Sequence, residues 1–232
     1  MNTTVLIVAA TEFEIAPTLN LFTNKFSQAK ELISYNYKSL QVDVLVSGVG
    51  MVATSYHLSK TLQHKKYSIA INTGIGGAFN KNIPLGTVVN VVSEALPELG
   101  AEDGEAFLSI FDLNLLNKNE APFTEGKLET PANIEFTALE AIQKAHGVSV
   151  NTVHGNEKSI ADLQQRIHAD VESMEGAAFA YVCLQEKQAC VQLRSISNYV
   201  ERRNRDAWQI PTAIRNLNEK LQEVLSELAQ TI

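Results

Sequence analysis

From end to end the chain alternates two patterns: short apolar runs without helical period, and longer segments whose apolar residues recur every three or four positions. That alternation calls for strands interleaved with helices, and so for an α/β sandwich with helices on both faces of a mostly parallel sheet. Residues 5–10 form the first apolar run and residues 12–22 the first helical repeat. Residues 32–40 and 42–47 read as paired strands, and glycines at 48 and 50 open a helix over about 51–63. A buried strand at 68–72 ends in a glycine-rich turn, and residues 87–92 are β-branched and apolar. Residues 94–130 are irregular and acid-rich, with a weak apolar patch at 107–116, and read as a mobile or substrate-shaping segment. Beyond them the pattern predicts a helix at 134–145, a strand at 148–153, helices at 160–167 and 174–186, a strand at 189–197, and a long final helix from about Pro211.

The predicted fold class is thus α/β: a three-layer α/β/α sandwich around a central, mostly parallel, mixed twisted sheet, in one domain spanning residues 1–232. In such sheets a ligand sits beyond the carboxyl ends of the strands. Glu14, the turn at 74–78, Met174 with Glu175, and Asn198 all fall at or just after strand ends, which makes them candidates for one cleft.

Composition narrows the function classes. A net charge of −7 with dispersed Lys and Arg argues against a nucleic-acid surface, although Arg202, Arg203 and Arg205 form a local basic cluster. No apolar run approaches the roughly 20 residues of a membrane helix. The first residues lack a basic leader, so a cytoplasmic protein is expected. The two cysteines, Cys183 and Cys190, lie in apolar surroundings without a CxxC or a His at ligand spacing, and read as buried thiols. No metal and no cofactor are expected, and the partner is a small molecule.

Each local motif also has a plain structural reading. "SGVGMVA" places Gly48, Gly50 and Ala53 between a strand and a helix, superficially like a dinucleotide fingerprint, but the next strand carries no carboxylate to hold a ribose. A tight turn with close backbone approach to a ligand fits better. In "NTGIGGAF", Gly74, Gly76 and Gly77 let backbone amides face a ligand without Cβ interference, or simply make a turn. Glu14 and Glu175 equally suit first-turn acids favoured by the helix dipole, and Asn198 a strand-ending turn residue.

Taken together the motifs say more. "AATEFEI", "SGVGMVA", "NTGIGGA", "ESMEGAAFAYVC" and "RSISN" occur in the order and near the spacings of the purine nucleoside phosphorylase and nucleosidase superfamily, which the chain resembles over nearly its whole length. Through "PELGAEDGEAF" and "SNYVERRNRDAW" it further resembles the futalosine hydrolases, nucleosidases of the alternative menaquinone pathway that release hypoxanthine.

The resemblance implies a set of roles. Glu14 matches the carboxylate that orients or deprotonates the attacking water, Glu175 the one that takes the ribose hydroxyls, and Met174 the methionine against the sugar. Gly74 belongs to the substrate-lining glycine segment. Asn198 stands where adenine-specific nucleosidases carry an aspartic acid. An amide can donate to O6 or N7 of a 6-oxopurine, where an ionised carboxylate would meet O6 lone pair to lone pair. The amide cannot deliver a net proton. Arg202, Arg203 and Arg205 are candidates to clasp the benzoate of futalosine, with Trp208 as an aromatic neighbour or a core residue.

No arginine precedes Glu14 in the first loop, as phosphate binding would favour, so water is the expected nucleophile. A homo-oligomer, at least a dimer, is expected. The alternatives are a purine nucleoside phosphorylase, an adenine-releasing methylthioadenosine/S-adenosylhomocysteine nucleosidase, and a non-catalytic nucleoside-binding protein on the same fold.

Overall fold

A computed structural model describes residues 3–27, 32–130 and 137–230. The elements run β1 (Thr4–Ala9), α1 (Glu12–Leu19), β2 (Thr23–Ser27), β3 (Leu32–Tyr37), β4 (Leu40–Val46), α2 (Met51–His64), β5 (Ile69–Ala78) and β6 (Val88–Ala95). They continue with β7 (Gly100–Asp103), β8 (Ala106–Ser109), β9 (Leu128–Glu129), α3 (Thr137–Glu140), β10 (Gln143–Ser149), α4 (Glu157–Arg166) and β11 (Val171–Ser173). Last come α5 (Gly176–Gln185), β12 (Cys190–Tyr199) and α6 (Ile210–Leu228).

The strands lie in the order β11-β10-β6-β12-β5-β1-β4-β3-β2. The run β12-β5-β1-β4 is parallel throughout, whereas β12–β6, β4–β3 and β3–β2 are antiparallel. Strand β11 also pairs antiparallel with β5, closing β11, β10, β6, β12 and β5 into a ring. The α/β/α sandwich with a mixed central sheet is the architecture that the alternating pattern requires.

Alternation along the central strands sends successive side chains to opposite layers. Val5 and Ile7 of β1 with Ile69 and Ile71 of β5 face α1 and α6, where Ile15, Leu217, Leu221 and Val224 complete one core. Leu6, Val8 and Ala70 face α2 and α5 and meet Leu58, Leu62, Phe179 and Cys183 in the other. Cys183 and Cys190 are free and buried, and burial pushes the Cys183 thiol well up.

Three local expectations are corrected. The glycine-rich segment is not a turn: β5 continues unbroken to Ala78. Glycine is ordinarily read as strand-breaking, but here the missing side chains admit neighbours that would otherwise collide with β5. Residues 143–145 do not finish a helix. Helix α3 stops at Glu140, and Gln143 already pairs with Val89, because the ladder to β6 outweighs local helical spacing; residues 134–136 lie outside the described residues. Finally, the stretch 94–130 holds the β7–β8 hairpin and β9, strands of four residues or fewer that are too short to show as apolar alternation.

Candidate active site

Glu14 lies in the first turn of α1. Its Oε2 accepts from the Thr11 amide at 3.1 Å and the Thr11 hydroxyl at 2.9 Å, while Oε1 accepts from the Ile75 amide of β5 at 3.1 Å. The helix is pinned from behind by Asn218 of α6, which accepts from the amide and hydroxyl of Thr18 and donates to the Glu14 carbonyl at 2.8 Å. Asn218 thereby spans the position of the ordinary backbone bond between Thr18 and Glu14. The carboxylate is fixed by three elements rather than waving from a helix end.

Opposite Glu14, the strand offers Gly74. A Cβ there would strike the guanidinium of Arg194 and come within 2.9 Å of Glu14 Oε1, so the missing side chain leaves room for both groups beside β5. Arg194, on β12, is 2% exposed. Its Nη2 donates to Asn72 Oδ1 and, at 3.0 Å, to Gln192 Oε1, while Nε has no partner among the described residues. Gln192 in turn donates to Glu94 at 2.7 Å, and the Ser149 hydroxyl donates to Glu94 at 3.0 Å while accepting from the Ala177 amide at 2.7 Å. Burial pushes the Glu94 carboxyl up to about 7, against the opposing pull of Gln192, the Arg194 charge and Ser149. Glycine is needed beside this network too, since a Cβ on Gly176 would run into Glu94 and Gln192.

Glu175 caps α5 and is 8% exposed. Its Oε1 accepts from the Gly50 amide at 2.9 Å, and Gly50 starts α2 with φ of 91°, a conformation that favours glycine. "SGVGMVA" is therefore a tight turn presenting a backbone amide to Glu175. Met174 is half-buried just before it.

Asn198 is half-buried near the end of β12, where the register with β5 shifts between Ile196 and Asn198. Such a bulge re-aims the following side chain. The amide oxygen accepts from the Ser197 hydroxyl at 2.8 Å and Nδ2 donates to the Tyr199 carbonyl at 3.0 Å. The nitrogen would lie 3.1 Å from a Cβ on Gly77. One of its two N–H groups remains for a ligand.

Arg202, Arg203 and Arg205 are exposed. Arg203 and Arg205 sit over the Trp208 ring at 5.2 and 5.9 Å, and Arg202 and Arg203 line a groove of about 700 Å³ with Lys81, Ile160, Gln164 and Val200. Among the described residues no hydrogen bond joins these arginines to Glu14, Glu175 or Asn198. The structure thus gathers Glu14 and Gly74 on one side of β5 and Asn198 beside Gly77, with Glu175 at the α2–α5 junction, and leaves the arginines on a neighbouring loop. Among the described residues no group of three or more His, Cys, Asp or Glu is placed to hold a metal ion.

A family model described as the phosphorylase superfamily matches residues 4–230. The chain belongs to this superfamily. A futalosine hydrolase of Acidothermus cellulolyticus is 32% identical over 180 residues, 75% of this chain and 71% of that protein. A 5′-methylthioadenosine/S-adenosylhomocysteine nucleosidase of Colwellia psychrerythraea is 25% identical over 96% of this chain and 95% of its own. The crystal structure of a Colwellia psychrerythraea nucleosidase of that name, in complex with adenine, superposes with a TM-score of 0.83 at 18% identity, covering 98% of this chain and 96% of the other. The protein is an enzyme of the phosphorylase superfamily, and these relatives are N-glycosyl hydrolases.

Sequence reasoning missed Arg194 and its partners. An arginine inside an apolar strand was the available signal, since a charge there must be paired or functional. Glu94 and Gln192 gave none, being 98 residues apart.

Proposed function

We propose that the protein hydrolyses the N-glycosidic bond of futalosine, releasing hypoxanthine and dehypoxanthine futalosine, as a cytoplasmic homo-oligomer in the alternative menaquinone pathway. The observation that carries this reading is the amide of Asn198 at the strand end beside Gly77, where its free N–H suits the O6 or N7 acceptor of a 6-oxopurine. The futalosine hydrolase relatives support it. Glu14, held by Thr11 and Ile75, activates water for attack at the anomeric carbon. Glu175 and Met174 hold the ribose, and the negative charge of Glu175 favours the cationic character that develops there. Arg202, Arg203 or Arg205 takes the carboxylate at the far end of the substrate. No helix of the described residues is long and apolar enough to cross a membrane. The exposed Val52 and Tyr56 on α2 supply an apolar face for a second copy.

Incubation with futalosine, inosine and methylthioadenosine, with and without phosphate, tests the assignment. Free hypoxanthine from futalosine without phosphate is the expected product. Adenine from methylthioadenosine as the dominant product would favour the adenine-releasing reading, and absolute phosphate dependence would make the enzyme a phosphorylase.

A further inference from the structure

We propose that His154, held by Glu172, donates the proton taken up by the departing purine. Across the sheet, Glu172 of β11 is in register with Gly77 of β5, and so is Asn198 of β12 on the other side. The row therefore reads carboxylate, gap, amide, with the amide nitrogen lying over the gap. Glu172 is buried and grips His154 twice. Its Oε1 accepts from the His154 amide at 3.0 Å, and its Oε2 pairs with ring Nδ1. Phe79 flanks the imidazole with ring centroids 6.4 Å apart, and the following Gly155 packs against Arg203. Ring Nε2 makes no hydrogen bond to any described residue. A buried carboxylate that fixes Nδ1–H leaves Nε2 as the position where the imidazole gains and gives its proton.

The charges around the ring favour the loaded form. The Glu172 hydrogen bond raises the imidazole above its ordinary value, opposed by burial; the Glu172 and Glu98 charges add to the rise and Arg166 on α4 offsets part of it. The chemistry needs such a group, because Asn198 can stabilise a leaving purine but cannot neutralise it. As the C1′–N9 bond breaks, its electron pair passes to the purine, and His154 Nε2 gives a proton to a purine nitrogen. Water forms the new C1′–O bond and loses its proton to Glu14. Glu14 then releases that proton to solvent and His154 takes one up, so the net change is addition of one water.

This inference rests on the reading that Asn198 faces the purine edge, not on which nucleoside is the substrate. The test uses the full chain and whichever of futalosine, inosine and methylthioadenosine it cleaves fastest, so a wrong substrate assignment shows in the wild-type products alone. His154→Gln should lower kcat for that nucleoside by about 100-fold or more with KM little changed. With para-nitrophenyl ribofuranoside, whose leaving phenolate needs no proton, the loss should be about five-fold or less. Unchanged kcat on the purine nucleoside, or equal losses with both leaving groups, would overturn the proposal. If His154→Gln does not fold, Glu172→Gln decides: removing the carboxylate charge should shift the alkaline fall of the kcat–pH profile to lower pH. An unmoved profile would equally overturn it.

Discussion

Replacing Asn198 by Asp keeps the size of the side chain and changes only what it donates. In the structure Nδ2 gives one proton to the Tyr199 carbonyl at 3.0 Å, so a carboxylate would turn an acceptor toward an acceptor. An unmet buried acceptor costs about 1–3 kcal/mol, and the half-buried setting of Asn198 favours the lower part of that range. For a chain of this size each kcal/mol lowers Tm by about 2–4 °C. The penalty attaches to the ionised form, so the folded-state pKa of the new carboxyl is raised. The loss of stability should be absent below the unfolded pKa of about 4 and grow as pH rises above it. On the substrate side, losing the donor toward O6 or N7 costs a similar 1–3 kcal/mol, or about 5- to 150-fold in kcat/KM for futalosine. The protonated fraction could donate to N7 and accept from a 6-amino group, so the ratio of 6-amino to 6-oxo activity should rise. Steady-state kinetics on futalosine and its 6-amino analogue, with melting curves at several pH values, measure both effects. An unchanged ratio would refute the assignment of Asn198 to the purine edge.

Other substitutions probe the remaining parts. Glu14→Gln should cut kcat by about 10²–10⁴-fold while substrate still binds, as isothermal titration would show. The same variant should lose about 1 kcal/mol of stability in denaturant melts, since an amide oxygen turned to the two Thr11 donors leaves an NH2 group, not an acceptor, facing the Ile75 amide. Glu175→Gln keeps an acceptor for Gly50 but removes the charge, and kcat/KM should fall by about 10²–10³-fold; wild-type kinetics would leave Glu175 a helix cap only. Glu94 is pushed up to about 7 from 4.5, so the folded chain binds more protons between those values and stability falls as pH rises through that window. Glu94→Gln should flatten that slope in denaturant melts. Replacing Arg202, Arg203 and Arg205 by Ala one at a time should weaken futalosine more than inosine at one position, and equal losses throughout would exclude them from the carboxylate site.

The sequence revealed the order of elements and the carboxylates better than their surroundings. Glu14, Glu175 and Asn198 could be picked out because each follows an apolar strand within a short motif, and the structure holds all three near strand or helix ends. The β5 glycines were legible as important but not as strand, because only the partners across the sheet show that the missing Cβ atoms make room for Arg194, Glu172 and Asn198. Arg194, Gln192 and Glu94 are joined by contacts between distant strands, which no local spacing encodes. His154 followed no recognisable motif, and its meaning comes from Glu172, 18 residues later.

The hold of Asn218 on α1 has a consequence for biosynthesis. Glu14 leaves the ribosome long before the amide that secures its carbonyl, which is 204 residues downstream. Until α6 has emerged and docked, the apolar side of β1 and β5 lacks Leu217, Leu221 and Val224, and the first helix has nothing to lock against. A nascent chain that has already formed its sheet would therefore still carry a Glu14 whose carbonyl has no anchor from α6. Competence for turnover should arrive late and abruptly, with the docking of the final helix rather than in proportion to chain length.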